Sequence, residues 1–186
     1  MNAAMKLLNR SREAGLAMML TLPCAAQTQQ DAAPPVPPPQ VRQTVEAVSG
    51  QWVGSMTATL PGSKPEAFPW EMICQPAARG SGASCSMKGL ASIGTSEEAC
   101  LLAYDPEGKA VHFMCVTSMG EVHDHKGQWR GDHAIVFEPY KTSWKGQLVS
   151  EDVTFNFPGT DHIETSSVIT TEKGSRMKFE FFGTRR

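Results

Sequence analysis

The chain has 186 residues, 17 basic and 19 acidic side chains and a net charge of −2. That balance argues against nucleic acid as a partner, and no apolar run reaches the roughly 18 residues of a membrane-spanning helix. With 40% hydrophobic residues, the sequence can build a real core, as one domain with appendages.

Residues 1–26 have the order of an export signal. Lys6, Arg10 and Arg12 precede an uncharged apolar stretch from Ala14 to Leu22, and Pro23-Cys24-Ala25-Ala26 supplies a small-residue exit. Cleavage after Ala26 is expected, giving an exported soluble protein, periplasmic or secreted. Proline before Cys24 suits lipoprotein processing poorly, so Cys24 is not expected to carry a lipid. Cleavage removes three basic residues and one acidic one, so the mature chain is more acidic than its precursor. It also leaves four cysteines, Cys74, Cys85, Cys100 and Cys115. An even set in an exported chain points to disulfides.

Residues 27–40 include Ala-Ala-Pro-Pro-Val-Pro-Pro-Pro and lack apolar periodicity. The composition predicts an extended, semi-rigid tether. The folded domain is then residues 41–186. Val41, Val45 and Val48 fall at helical spacing ahead of Gly50, which predicts one short helix with a glycine cap.

Beyond Gly50 the period is two. Val111, Phe113 and Cys115 alternate with polar or outward residues, as do Val153, Phe155 and Phe157, and Met177, Phe179 and Phe181. Turn signals separate the runs at Pro61-Gly62, Asp105 to Gly108, Met119-Gly120, Arg130 to Asp132, Pro158-Gly159 and Lys173-Gly174. The pattern predicts an all-β, antiparallel up-and-down meander of about 8–10 strands. Closure into a barrel removes the unpaired edges. Pairing Cys100 with Cys115 across the Asp105–Gly108 turn puts Leu102 opposite Phe113 and Tyr104 opposite Val111, a consistent apolar face. Cys74 with Cys85 follows the same logic, with Met72 opposite Met87. Each bond would contribute roughly 3 kcal/mol. A zinc role for these cysteines has no Cys-x-x-Cys spacing behind it.

Gly50-Gln51-Trp52-Val53-Gly54 resembles the Gly-x-Trp signature of calycins, the lipocalin-like barrels. Tyr104-Asp105-Pro106, Ser118-Met119-Gly120, Glu151 to Phe155, Asp161-His162 and Thr184-Arg185-Arg186 resemble one bacterial lipocalin-like family of unknown function. The resemblance runs from about Val48 to the C-terminus. It implies a lipocalin-like barrel with a pocket, and Trp52 stacked under Arg185 or Arg186 as a structural closure. It implies no activity.

Reactive residue types concentrate in His112, Glu121, His123, Asp124, His125, Asp132 and His133. A two-residue turn at Met119-Gly120 would pair Ser118 with Glu121. His112, His123, His125 and Met114 would then share a face. Imidazole with thioether suits copper, imidazole with carboxylate suits zinc, and some calycin-like barrels hold haem through a pocket histidine. The plain alternative is a solvated strand, because a one-residue register change turns His112 to the other face. The paired acids Glu97-Glu98 and Glu151-Asp152 form no dyads, since neighbours on a strand point to opposite faces. Gly-x-Ser-x-Gly, a phosphate loop and His-Glu-x-x-His are all missing from the sequence.

The leading expectation is therefore non-catalytic binding of a small apolar or amphipathic molecule inside the barrel. The apolar parity nominates Leu102, Tyr104, Phe113, Phe137, Phe155 and Phe179 as pocket residues. Metal or haem binding through His112, His123 and His125 is the alternative, and a small-molecule enzyme at the barrel mouth is the third.

Overall fold

A computed structural model of the chain describes residues 36–92, 94–144 and 146–186. The expected export signal and the first part of the expected tether lie outside the described residues. Helix α1, Pro39–Val48, starts two residues before the expected Val41, with proline in its first turn. Proline suits that position because its missing N–H would have no intrahelical partner there. Val41, Val45 and Val48 form its buried stripe.

Eleven strands follow: β1 Gly50–Thr59, β2 Glu66–Ala77, β3 Gly82–Ala91, β4 Gly94–Asp105, β5 Ala110–Thr117, β6 Val122–Trp129, β7 Ala134–Phe137, β8 Tyr140–Trp144, β9 Gln147–Asn156, β10 His162–Thr171 and β11 Arg176–Arg185. All pairings are antiparallel. β7 pairs with the far half of β9 and β8 with its near half, so these two are one strand interrupted at Glu138-Pro139. Proline cannot donate to the ladder, which makes a break there natural. Pairing of β9 with β10 and of β11 with β1 closes the described strands into a ten-strand barrel.

The seam between β11 and β1 is locked by one side chain. The Arg185 guanidinium lies 4.4 Å from the centroid of the buried Trp52 ring. Its Nε donates to Thr160 O at 2.7 Å, its Nη2 to Ala47 O at 3.0 Å, and its Nη1 to Ser49 O. The Trp52 indole N–H donates to Val48 O at 2.7 Å. Arg185, rather than Arg186, makes the expected stacking contact. Gly50 begins β1 instead of capping the helix; its φ is 134°, and a Cβ there would meet Arg185 Nη1 at 2.6 Å. Together these contacts seat α1 across one end of the barrel.

Both expected disulfides form, Cys74–Cys85 and Cys100–Cys115. Cys85 also lies directly opposite Cys100, so the four cysteines make one cross-strand row over β2 to β5. His123 continues that row on β6, opposite Cys115. Toward the helix end, Leu102, Phe113, Phe137 and Phe155 are buried together. Phe113 meets Phe155 edge-on at 4.7 Å and Phe137 at 5.9 Å. At the other end, inward-facing Met56, Ala58, Met87, Ser167, Ile169 and Phe179 are only half-buried. The helix covers one end of the barrel, and the other carries these half-buried side chains beside buried Phe68, Val149 and Met177.

Two stability effects follow. Arg185→Met should lower unfolding free energy by at least about 2 kcal/mol, because it removes charged hydrogen bonds and a cation–π contact, whereas exposed Arg186→Met should change it by under about 0.5 kcal/mol. Removing the Cys100–Cys115 bond by double alanine substitution should cost roughly 3 kcal/mol. Urea unfolding of the oxidised proteins measures both.

Candidate functional site

The β5–β6 hairpin sets which residues reach the interior. Thr117 N–H donates to Glu121 O, Gly120 N–H donates to Thr117 O, and Gly120 has φ 81°. The turn therefore holds three residues, Ser118-Met119-Gly120, and not the expected two. The register shifts by one: His123 faces Cys115 and His125 faces Phe113, while His112 faces Lys126. His123 and His125 point inward. His112 points outward, with Nδ1 at 3.0 Å from Asp124 Oδ1, and Met114 lies opposite Asp124 on that outer face. The expected grouping of His112 and Met114 with the other two histidines is corrected accordingly.

Two inward acids take their place. On β9 the alternation that buries Val149 and Val153 also buries Glu151, at 7% exposure. On β4 the alternation that buries Cys100 and Leu102 turns Glu98 inward and Glu97 outward. Glu151 Oε2 lies 3.0 Å from His123 Nδ1 and 3.5 Å from His125 Nε2. Glu121 Oε2 lies 3.6 Å from His123 Nε2. Ser167 Oγ, from β10, donates to Glu151 Oε1.

Aromatic rings fix the two imidazoles. Tyr140 stacks on His123 at 5.9 Å and meets His125 edge-on at 5.1 Å. Phe113 and Phe137 cover His125 from two more sides, and it is 2% exposed. Despite the short distances, Glu151 Oε2, His123 Nε2 and His125 Nδ1 are buried without an aligned hydrogen-bond partner. The groups pair by charge at close range, and these three atoms are left without aligned hydrogen bonds.

The charge states follow from this crowding. Desolvation, reinforced by Glu151 and Glu121 and opposed by His123, pushes the Glu98 carboxyl up to about 7. The Glu151 carboxylate beside it holds His123 above its ordinary value. Burial pushes His125 down, toward the neutral ring. Burial would raise Glu151, yet His123, Ser167 and His125 together hold it below its ordinary value.

Of the expected pocket residues, Leu102, Phe113, Phe137 and Phe155 lie in the packed core, and Tyr104 packs on Trp129 at 5.5 Å near the helix. Phe179 is half-buried toward the end away from the helix. A groove of about 560 Å³ lies mainly on the outer face of β2 to β5, over Ile73, Lys88, Ala99 and Val116, and reaches Glu98 and Thr117 at its edge. Its outward lining separates it from the histidine cluster, so the cluster, and not the groove, is the candidate site.

No family model and no curated protein sequence matches the chain. Among solved structures, it is similar to Rv2717c from M. tuberculosis, with a TM-score of 0.59 and 14% identity over 81% of this chain and 99% of that one. It is also similar to the S-type phycobiliprotein lyase CPES from Guillardia theta, with a TM-score of 0.54 and 12% identity over 78% of this chain and 92% of that one. At such identities the likeness is one of fold. The closed antiparallel barrel with these neighbours is lipocalin-like.

The Glu98 environment gives a signed pH effect. Its folded value of about 7 lies above the 4.5 of an unburied carboxyl, so the fold favours the protonated form. That contribution is greatest below pH 4.5 and is lost as pH rises through about 7. Glu98→Gln should therefore stabilise the protein at pH 8, by up to about 3 kcal/mol, and by much less at pH 5. Thermal unfolding at the two pH values measures the difference.

Proposed function

We propose that this protein binds a small amphipathic molecule in the half of the barrel away from the helix. The observation that carries the reading is the contrast along the barrel axis. The helix end is filled by aromatic side chains, whereas the other half holds inward Glu98, His123 and Glu151 and the half-buried apolar residues Met56, Met87 and Phe179. An apolar body would lie against the methionines and Phe179, with its polar head toward Glu98 and His123. A mainly apolar wall with a few convergent polar groups is the usual make-up of a small-molecule site. Two solved structures of similar fold, one of them a phycobiliprotein lyase, are compatible with small-molecule binding.

Glu98 also favours a second reading. A carboxyl that is half-neutral near pH 7 beside a histidine is suited to passing a proton to a bound molecule. The two disulfides fit an oxidising compartment. With the signal-like residues 1–26, they support export to the periplasm or beyond. Among the described residues no helix is long and apolar enough to cross a membrane.

Anilinonaphthalene sulfonate, an amphipathic fluorescent probe, tests the binding site. Wild-type protein should bind it with enhanced fluorescence. Phe179→Glu should weaken binding at least about tenfold by placing a charge in the apolar wall. Phe182→Glu, on the exposed face of the same strand, should leave it unchanged. Equal binding by all three proteins would move the site out of the barrel.

A further inference from the structure

His123, His125 and Glu151 do more than line a wall. We propose that they form a mononuclear site for a first-row divalent metal, zinc being the probe of choice, with His123 Nδ1, His125 Nε2 and Glu151 Oε2 as the three protein ligands. The site stands whether or not an organic molecule occupies the barrel mouth.

The first argument is spacing. One ligand atom from each of the three residues lies within 4.8 Å of the other two. In a tetrahedral zinc site with bonds of about 2.0–2.1 Å, ligand atoms are separated by about 3.3–3.4 Å. Glu151 Oε2 stands at 3.0 Å from His123 Nδ1 and 3.5 Å from His125 Nε2, bracketing that edge. The third edge, between the two imidazoles, is within 4.8 Å, and side-chain rotation would close it around an ion.

The second argument is the unmet bonding of buried atoms. His125 is 2% exposed and Glu151 7% exposed. Glu151 Oε2 nevertheless has no aligned hydrogen-bond partner. Buried acceptors without partners are costly, so such a group calls for an explanation. A cation at the convergence point supplies one.

The third argument is the surroundings. Histidine ligands are commonly oriented by a carboxylate on the ring nitrogen that does not bind metal, and ligating carboxylates are themselves hydrogen-bonded. With His123 Nδ1 on the metal, its Nε2 has Glu121 Oε2 at 3.6 Å, close enough for charge attraction but not for a hydrogen bond, and His125 Nδ1 has no partner. With Glu151 Oε2 on the metal, its Oε1 accepts from Ser167. Tyr140 and Phe113 hold the ring planes. Three protein ligands leave a fourth position for water or a bound molecule, the pattern of an open zinc site.

Two related possibilities fit less well. Haem would need room for a porphyrin beside His125, which is 2% exposed and packed against Phe113, Phe137 and Tyr140. Cys100 and Cys115 lie near Glu98 but are joined in a disulfide and offer no thiolate.

The test uses untagged, oxidised, full-length protein freed of metal by a chelator. Zn²⁺ is titrated against a chromophoric competitor, and Co²⁺ is titrated by visible absorption. Wild type should bind one equivalent of Zn²⁺ at micromolar or tighter affinity, and Co²⁺ should give the d–d bands of a low-coordinate site. Glu151→Gln and His125→Ala should weaken Zn²⁺ binding at least about a hundredfold, and Glu121→Gln by about tenfold. The outward His112→Ala should bind as wild type does. Circular dichroism checks that each variant is folded; should the buried substitutions unfold the barrel, half-buried His123→Gln and Glu121→Gln carry the test. Wild-type affinity weaker than about 100 µM, or folded site variants that bind like wild type, would overturn the assignment.

Discussion

The Arg185 clamp is the contact on which the rest of the architecture depends. A barrel made from one chain must bring its first and last strands together, and that seam encloses the largest sequence separation in the molecule. Arg185 ties β11 to three other segments: Trp52 of β1, the carbonyls at the end of α1, and Thr160 between β9 and β10. The guanidinium suits the task because its fixed fork of donors can reach several carbonyls while its face rests on an indole. A lysine would hold one such partner at a time. Fixing α1 at the seam also decides polarity. The helix covers one end with Val41, Val45 and Val48, so the opposite end is the one without a helix across it.

Between these ends, the row of four cysteines acts as a divider. Toward the helix lie the aromatic contacts of Phe113, Phe137 and Phe155; away from it lie Glu98 and Glu151, with His123 in line with the row. The two disulfides fix β2 to β3 and β4 to β5, and Cys115 stands opposite His123. The imidazole positions are therefore set by a braced neighbour as well as by their own strand. The break in the strand at Pro139 matters here too. It lets β8 start afresh with Tyr140, which pairs with Glu151 and stacks on His123. The barrel fold thus supplies the frame, and the strand restarting after a proline packs an aromatic ring against both site histidines.

Much of this was legible from residue order. Strict alternation revealed the strands, and the disulfide register was readable because each bond placed apolar partners opposite one another on both sides. Trp52 and the terminal arginines were legible through resemblance alone. The site was harder to read. Its histidine parity hung on whether the Ser118–Gly120 turn held two residues or three, and both lengths accept the glycine at position 120. With period-two geometry, that single residue decides the fate of His112. The acids were missed for a different reason. Neighbouring acids on a strand cannot face one another, which correctly dismissed Glu97-Glu98 and Glu151-Asp152 as dyads. The same geometry requires that one member of each pair enter the barrel. Which distant strand would meet it depended on ring closure, and no local pattern encodes that.

The energetics give the clearest reason to treat this cluster as functional. Filling the interior at Glu98 and Glu151 with aliphatic residues would be the simpler route to stability, because burying charge costs several kcal/mol per ion before any pairing is counted. The barrel has instead a carboxyl pushed up to about 7, a carboxylate held below its ordinary range, and one imidazole raised while its neighbour is lowered. These opposed shifts fall within one group of side chains, in the half of the barrel away from the helix. Two hairpin staples and the Arg185 clamp stabilise the frame elsewhere, allowing it to tolerate this unfavourable interior. A polar cluster that weakens its own fold, held in place by contacts that strengthen it, has the distribution expected of a binding site.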